Sequence, residues 1–303
     1  MKINAFISRN LGIILLASAA SGLFIRSTDF DSSLVIIVSL AAIIFASFFQ
    51  IQLNKDLLMK DVRSSLVYFA LRFAVMPVIV YYLTAPISEF YAVCGLVLLL
   101  LPAAVSAPAF TTMFGGNAAL SLKLLVLTSF LSIAAIPLIV QMVLGKVEIE
   151  AGRMTVAMMY VIVAPFILHL PFRGNLKIRN AITGNIPLIT AVGLAVIFIV
   201  STSKNREIIL GNPEIMLVYA IISLLIYLFL YAAGYFLMKG KPAADRIAYS
   251  VCSGANNIGL GVTLTALFFP SEMNVFFIVS QLAWIFVLIP VRRLFYMVDK
   301  RMK

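Results

Sequence analysis

Three residues combine a strongly polar side chain with apolar surroundings: Arg72, Asn256 and Asn257. Arg72 follows Arg63 by nine residues within one apolar run, which corresponds to about 13 Å of helix. A charge at that depth of a bilayer is unfavourable by about 3 kcal/mol unless a partner offsets it. The two amides can each donate to an anion and accept from a cation. The three residues therefore predict a polar site in which backbone carbonyls or an anionic solute offset the arginine.

The residues that usually perform acid–base chemistry lie at the margins of the apolar runs or between them. All twelve Asp and Glu residues fall in polar gaps or at the ends of apolar runs. The single histidine, His169, precedes Arg173 by four residues, so we interpret it as an interfacial side chain rather than a proton relay. Membrane enzymes need clustered acids, a metal motif or a nucleophile with a base. The sequence predicts a protein that is not an enzyme and has no cofactor, with sodium as the one metal to consider.

The elements that carry these residues are long apolar runs. The chain has 303 residues, 63% of them hydrophobic and 12% charged, and a mean hydropathy of +1.09. Soluble proteins are about half apolar and a quarter charged, so the composition excludes disorder, a soluble enzyme and a nucleic-acid-binding module. About 20 apolar residues span a bilayer as a helix. The sequence predicts an all-α membrane protein with ten such spans: 9–25, 33–53, 64–84, 90–113, 118–145, 154–172, 183–202, 214–238, 247–269 and 274–297.

Two of these spans are interrupted by residues that disfavour a helix. In the fourth span, residues 101–108 include two prolines, and in the ninth, residues 252–261 include three glycines and two asparagines. Unpaired backbone groups at bilayer depth are tolerated only where they line protein or a wet cavity. Either break alone would be explained by a kink in a packed helix. The pair predicts a transport site at the middle of the membrane.

The two breaks occupy corresponding positions in two halves of the chain. A shift of 153 residues lays Pro137 on Pro290 and the fourth span on the ninth. Because each half has five spans, the second half must enter the membrane in the opposite sense. The sequence therefore predicts one polytopic membrane domain over 1–303, built from inverted repeats at 1–146 and 150–303.

The distribution of basic residues predicts the orientation. Most Lys and Arg residues fall on the side of the membrane that holds both chain ends, and this side is expected to be the cytoplasm. We interpret the first apolar run as a span rather than a signal peptide, because its removal would leave nine spans. Lys123 lies inside a span and is expected to extend towards the cytoplasmic surface. The expected location is the inner membrane of a bacterium.

Three segments resemble the bile acid:sodium symporter family, whose superfamily includes arsenite-efflux and auxin-efflux carriers. They are 72–77 (RFAVMP), 116–121 (GNAALS) and the Asn256–Asn257 pair. The resemblance implies that the broken helices 4 and 9 cross in a core domain, and that organic anions are carried by alternating access between this core and a panel domain. It assigns helices 1, 2, 6 and 7 to the panel at 9–53 and 154–202, and the core to 64–145 and 214–297.

The resemblance also implies two sodium sites whose ligands are largely replaced here. At the first site, a Ser–Asn pair is replaced by Ala107 and Pro108, Ser121 is kept, and a Thr is replaced by Leu125. A Glu that both sodium sites share in the family corresponds to Cys252.

The Gln that follows this Glu by four residues corresponds to Asn256, and the Gln of the second sodium site corresponds to Arg72. This last replacement suggests that the guanidinium substitutes for a sodium ion. A brace between crossing helices is the alternative role of Arg72.

We therefore expect a secondary active transporter of a small organic anion. The alternatives are a sodium-coupled organic anion or bile acid symporter with rearranged ligands, efflux of a metalloid oxyanion or weak acid, and a non-transporting sensor or scaffold. The expected partners are the lipid bilayer and the anion, with no nucleic acid. The solute, its direction of movement and the oligomeric state stay open, a monomer being one option.

The candidate substrate-binding residues are Arg72, Ser106, Pro108, Asn256, Asn257 and Gln281. The candidate ion-binding residues are Ser121, Thr128, Cys252, Ser253 and Asn256.

Overall fold

A computed structural model describes residues 2–25, 32–50, 61–145 and 151–300. The predicted end of the second span, at 51–53, and the boundary between the two repeats, at 146–150, lie outside these residues. Within them the regular secondary structure is helical. The helices are α1 (Lys2–Phe24), α2 (Ser33–Phe48), α3 (Val62–Thr84), α4 (Glu89–Leu100), α5 (Ala107–Met113), α6 (Ala118–Leu144), α7 (Ala151–His169), α8 (Leu176–Lys204), α9 (Arg206–Gly211), α10 (Pro213–Leu237), α11 (Ala243–Gly254), α12 (Ile258–Phe268) and α13 (Ser271–Lys300).

Six of these helices are long and apolar enough to cross a membrane, and they identify an integral membrane protein. They are α3, α6, α7, α8, α10 and the Ser271–Phe295 part of α13. Shorter apolar helices cover Asn10–Phe24, Ser33–Phe48, Glu89–Leu100 and Ile258–Phe268. The prediction of a helical membrane protein is confirmed for the described residues. The arrangement of ten spans as inverted repeats stays a prediction.

Two of the long helices contain a π-helical turn that ends two residues before a proline. In α3 this turn covers Ala70–Val75, and the amide of Met76 donates to the carbonyl of Leu71, five residues back. In α7 it covers Met159–Val163. The prolines that follow, Pro77 and Pro165, have no amide and collide with the preceding turn of a regular helix. The wider π turn accommodates them and changes which side chains the helix presents.

The described helices form two compact units. The first unit comprises residues 1–52, 149–217 and 259–282, as far as the structure describes them. Here α8 packs against both α1 and α2. His169, at the end of α7, stacks on the ring of Phe48 with centroids 5.8 Å apart and lies edge-on to Phe49 at 5.1 Å. It is thus a packed aromatic side chain of the first unit.

The second unit comprises residues 53–148, 218–258 and 283–303, again as far as they are described. In it α4 packs against α3, and α11 packs against α5 and α6. Lys123 of α6 is only 1% exposed and lies within electrostatic range of Asp61. The side chain of Lys123 is therefore enclosed rather than exposed, and its extension towards the cytoplasmic surface stays a prediction. The panel and core domains inferred from the resemblance stay a prediction.

Candidate functional site

The guanidinium of Arg72 is the centre of the candidate site. The π turn of α3 carries it, and the residue has no exposed surface. Its Nη1 donates to the carbonyl oxygen of Leu99, and its Nη2 donates to the carbonyl oxygen of Ser253 at 3.0 Å and to Oδ1 of Asn256 at 3.3 Å. The guanidinium carbon is 5.0 Å from the centre of the Phe73 ring. Nε is buried and has no hydrogen-bond partner among the described residues.

The two carbonyls that bind Arg72 belong to the ends of two helices. Leu99 lies in the last turn of α4, which ends at Leu100, and Ser253 lies in the last turn of α11, which ends at Gly254. The last carbonyls of a helix have no amide partner within it, and they carry the negative end of the helix dipole. One permanently charged side chain therefore neutralises two helix ends. In transporters with broken helices, such carbonyls are the groups that coordinate a bound cation.

The backbones of the two breaks pair directly with each other. The amide of Ala104 donates to the carbonyl of Ala255 at 2.6 Å, and the amide of Asn257 donates to the carbonyl of Pro102 at 2.8 Å. Ala103 and Asn256 form an isolated antiparallel bridge between these bonds. Backbone groups released by the prolines and glycines of both breaks are thus satisfied by the opposite break, as burial in a membrane requires.

Side chains from two further helices complete the pairing of the breaks. Oγ1 of Thr128 in α6 accepts from the amide of Ala103 at 3.2 Å. Nε1 of Trp284 in α13 donates to the carbonyl of Gly254 at 3.0 Å. Nδ2 of Asn256 donates to the carbonyl of Leu98 at 2.7 Å, so its amide bridges Arg72 and the end of α4. The crossing is therefore held by contacts from both breaks and from the helices around them.

A second set of polar contacts joins α11 to α3 and α6. The hydroxyl of Tyr68 lies 2.9 Å from Oγ of Ser253, and Oγ of Ser121 lies 3.1 Å from Sγ of Cys252. All four residues have no exposed surface. The other cysteine, Cys94 of α4, is equally buried, and both thiols are free. The residues that the resemblance connects with sodium are thus bonded to other parts of the protein.

The remaining predicted substrate residues lie in different surroundings. Ser106, immediately before α5, is exposed, while Pro108 and Asn257 are half-buried. Gln281 is 5% exposed and belongs to the first unit, whereas Arg72 and Asn256 belong to the second. The structure therefore joins Arg72 to Asn256 and Ser253 by direct hydrogen bonds. Thr128 binds the amide of Ala103, which forms the backbone bridge with Asn256.

Two residues of the site were missed in the sequence, Tyr68 and Trp284. Tyr68 lies one helical turn before Arg72, a spacing that places both side chains on one face of α3. That signal was available for Tyr68. For Trp284, 30 residues from its partner Gly254, the sequence holds no comparable signal. Among the described residues, no group of three His, Cys, Asp or Glu side chains is placed to hold a metal ion.

Comparison with known proteins gives one family. The model of the SBF-like CPA transporter family matches residues 4–287, nearly the whole chain. No curated protein matches.

Proposed function

Because the chain belongs to the SBF-like CPA transporter family, we propose that it is a secondary carrier of a small organic anion in which Arg72 takes the place of a sodium ion. The observation that carries this proposal is the position of the guanidinium. It donates to carbonyls at the ends of α4 and α11, the two helices that precede the paired breaks. A cation is thus present at the crossing without ion binding.

The residues at the family's other sodium positions support the same proposal. Ser121 and Cys252, which correspond to two of these positions, contact each other, and Thr128, a further candidate ion-binding residue, accepts from the amide of Ala103. A sodium ion would have to displace these contacts and would find no carboxylate, since the acidic residues of the sequence lie in polar gaps or at the ends of the apolar runs. Sodium bound at this depth would be poorly coordinated, so we infer that transport is independent of sodium.

The charge of Arg72 also favours an anionic solute. Its described partners are neutral oxygen atoms, so the positive charge is not cancelled by a carboxylate. A charge that no carboxylate cancels acts strongly on nearby ions in surroundings of low dielectric constant. Because Arg72 is enclosed, it would act on the solute through its field. The half-buried Asn257 and the exposed Ser106 are the proposed contacts on the solute side.

We further propose alternating access between a panel of α1, α2, α7 and α8 and a core that carries the two breaks. Both chain ends would lie in the cytoplasm, and the membrane would be the inner membrane of a bacterium. The majority of basic residues on that side of the apolar runs supports this orientation.

The test is thermal unfolding of the purified protein with a panel of organic acids, each in sodium and in choline buffer. A ligand that binds the folded state raises its stability according to its concentration relative to its Kd. We expect stabilisation by at least one acid, equal in both buffers, and uptake of that acid into proteoliposomes with sodium replaced by choline. Stabilisation or uptake that needs sodium would contradict the proposed role of Arg72 and favour a sodium-coupled symporter.

Variants of Arg72 sharpen this test. Arg72→Gln removes the fixed cation, and we expect it to acquire a stabilising response to sodium. Arg72→Lys keeps a positive charge and serves as the matched control, with no response to sodium. Equal sodium responses of both variants would contradict the proposal. If no acid stabilises the protein or enters the vesicles, a sensor or scaffold would be favoured instead.

A further inference from the structure

A cleft of about 490 Å³ lies beside the last part of α13. It is lined by Met113 at the end of α5 and by Leu288, Ile289, Arg292 and Arg293 of α13. No residue of the paired breaks lines it. The cleft therefore lies apart from the candidate site at Arg72.

Contacts between aromatic rings join the two segments that form the cleft. The rings of Phe110 and Trp284 have centroids 5.4 Å apart, and those of Phe114 and Phe295 are separated by 5.5 Å. These two contacts hold α5 and the residue that follows it against α13. The cleft thus has defined walls in the second unit.

The two arginines of the cleft stand at the depth of lipid headgroups. Arg292 follows Ser271, the first residue of α13, by 21 residues, which is about 32 Å of helix. The hydrocarbon core of a bilayer is about 30 Å thick. Arg292 and Arg293 are both exposed, and neither forms an ion pair with another described residue. Their guanidinium groups are therefore available to an anion at the membrane surface.

Below the arginines the surface of α13 is apolar. Ile289 and Phe286 are 59% and 62% exposed, and both lie on the face of the helix that leads to Arg293. A phospholipid has the same arrangement, with a phosphate at the surface and acyl chains beneath it. Guanidinium groups bind phosphate oxygens in pairs of hydrogen bonds, which a more compact ammonium cannot match.

We propose that this cleft binds one anionic phospholipid of the phosphatidylglycerol class. Its phosphate lies between Arg292 and Arg293, and one acyl chain lies along Met113, Leu288 and Ile289. The negative charge of the headgroup selects this lipid over phosphatidylcholine, whose ammonium group is repelled by the arginines. Basic pockets at the membrane surface of helical proteins are suited to such headgroups.

Trp284 provides the measurement, because it is the one tryptophan of the chain and precedes Arg292 by two turns. The full-length protein is reconstituted in phosphatidylcholine containing a small fraction of brominated phosphatidylglycerol or brominated phosphatidylcholine. Bromine quenches tryptophan fluorescence at short range. We expect half-maximal quenching at about a tenfold lower fraction of the brominated phosphatidylglycerol, since each basic residue near the surface adds severalfold to anionic lipid affinity.

Two double variants separate the cleft from the general positive charge of the protein. R292Q/R293Q should lose the preference for phosphatidylglycerol. R173Q/R179Q, with the same change of charge on another part of the chain, should keep it. R292K/R293K keeps both charges but loses the paired hydrogen bonds, so it should retain only the part of the preference that comes from charge.

Equal quenching of the natural protein by the two brominated lipids would overturn the proposal without any variant. An unchanged preference in R292Q/R293Q would also overturn it, as would equal losses in both double variants. Reversal of the quenching by soluble glycerol phosphate would support recognition of the headgroup phosphate by the two arginines. A preference that only the cleft variant loses would support it.

Discussion

Arg72 and Asn256 are 184 residues apart in the chain and joined by a hydrogen bond from Nη2 to Oδ1 of 3.3 Å. The same Asn256 side chain donates through Nδ2 to the carbonyl of Leu98. Since Arg72 also binds Leu99 directly, the arginine and the amide together fix the end of α4 from two directions. This arrangement makes the guanidinium a structural part of the crossing, and stability measurements can test it independently of transport.

The first prediction concerns the loss of Arg72. Arg72→Met removes three hydrogen bonds and leaves the carbonyls of Leu99 and Ser253 without this donor. We expect the free energy of unfolding to fall by about 3 kcal/mol, as is usual when one partner of a buried charged contact is removed. The measurement is thermal or denaturant unfolding in detergent. Arg173→Met, at an exposed position, is the control and should change stability by less than about 0.5 kcal/mol. Similar losses for the two variants would contradict a bracing role of Arg72.

A second prediction concerns the hydroxyl of Thr128. Thr128→Val keeps the shape of the side chain but leaves the amide of Ala103 without an acceptor in a buried position. We expect a loss of about 1–3 kcal/mol in the free energy of unfolding. Thr112→Val is the matched control, because the Thr112 hydroxyl is exposed and donates to the carbonyl of Pro108 within its own helix. If the control were as destabilising as Thr128→Val, the contact with the break would not be the cause.

The third prediction concerns the close approach of α10 to the end of α11. A Cβ atom added at Gly254 would overlap the ring of Tyr231. We expect Gly254→Ala to lower the free energy of unfolding by about 1–3 kcal/mol, since the helices must separate or the ring must move. Gly240→Ala, where no atom lies within 4 Å of the added Cβ, should have little effect. Unfolding curves of the two variants that coincide would show that the helices do not pack as described.

A fourth prediction follows from the ion pair between Asp61 and Lys241. Nζ of Lys241 donates to Oδ2 of Asp61 at 2.6 Å, and this contact holds the pKa of Asp61 below its ordinary value of 3.8. A lowered pKa stabilises the folded state above the unfolded pKa, and this contribution is lost as the pH falls through the folded pKa. Because Asp61 is 44% exposed, the pair should contribute only about 0.5 kcal/mol at neutral pH.

The variant for this test is Asp61→Asn. Asp61 has a φ of 50°, in the left-handed region, and asparagine tolerates that conformation. The variant should be less stable than the natural protein at neutral pH and equally stable well below pH 3.8. Lys241→Gln, which removes the other partner, should behave in the same way. A difference in melting temperature that does not change with pH would exclude the ion pair as its cause.

The sequence predicted the helical membrane class because apolar runs of sufficient length have few other solutions in a bilayer. It also identified Arg72 and Asn256 as unusual, since a buried charge requires a partner. It could not identify the carbonyls of Leu99 and Ser253, because these residues are 27 and 181 positions from Arg72 along the chain. The π turn that sets the direction of Arg72 was not predicted either, although Pro77 is its local cause.

Lys123 shows a different limit of sequence reasoning. Its distance from the nearest polar gap was compatible with a side chain that reaches the surface. Whether it does depends on the helices that surround α6, and the structure encloses it. For a long basic side chain, the position along a span indicates its depth in the membrane, whereas its exposure depends on how the neighbouring helices pack around it.

The burial of both free thiols has a practical consequence for following the transport cycle. Maleimide reagents need an accessible thiolate, and neither Cys94 nor Cys252 presents one in this conformation. The natural chain can therefore serve as the background for spin or fluorophore labels at newly introduced surface cysteines, while Cys252 keeps its contact with Ser121. Interlabel distances recorded across conditions would then report the motion of the protein without prior removal of its own cysteines.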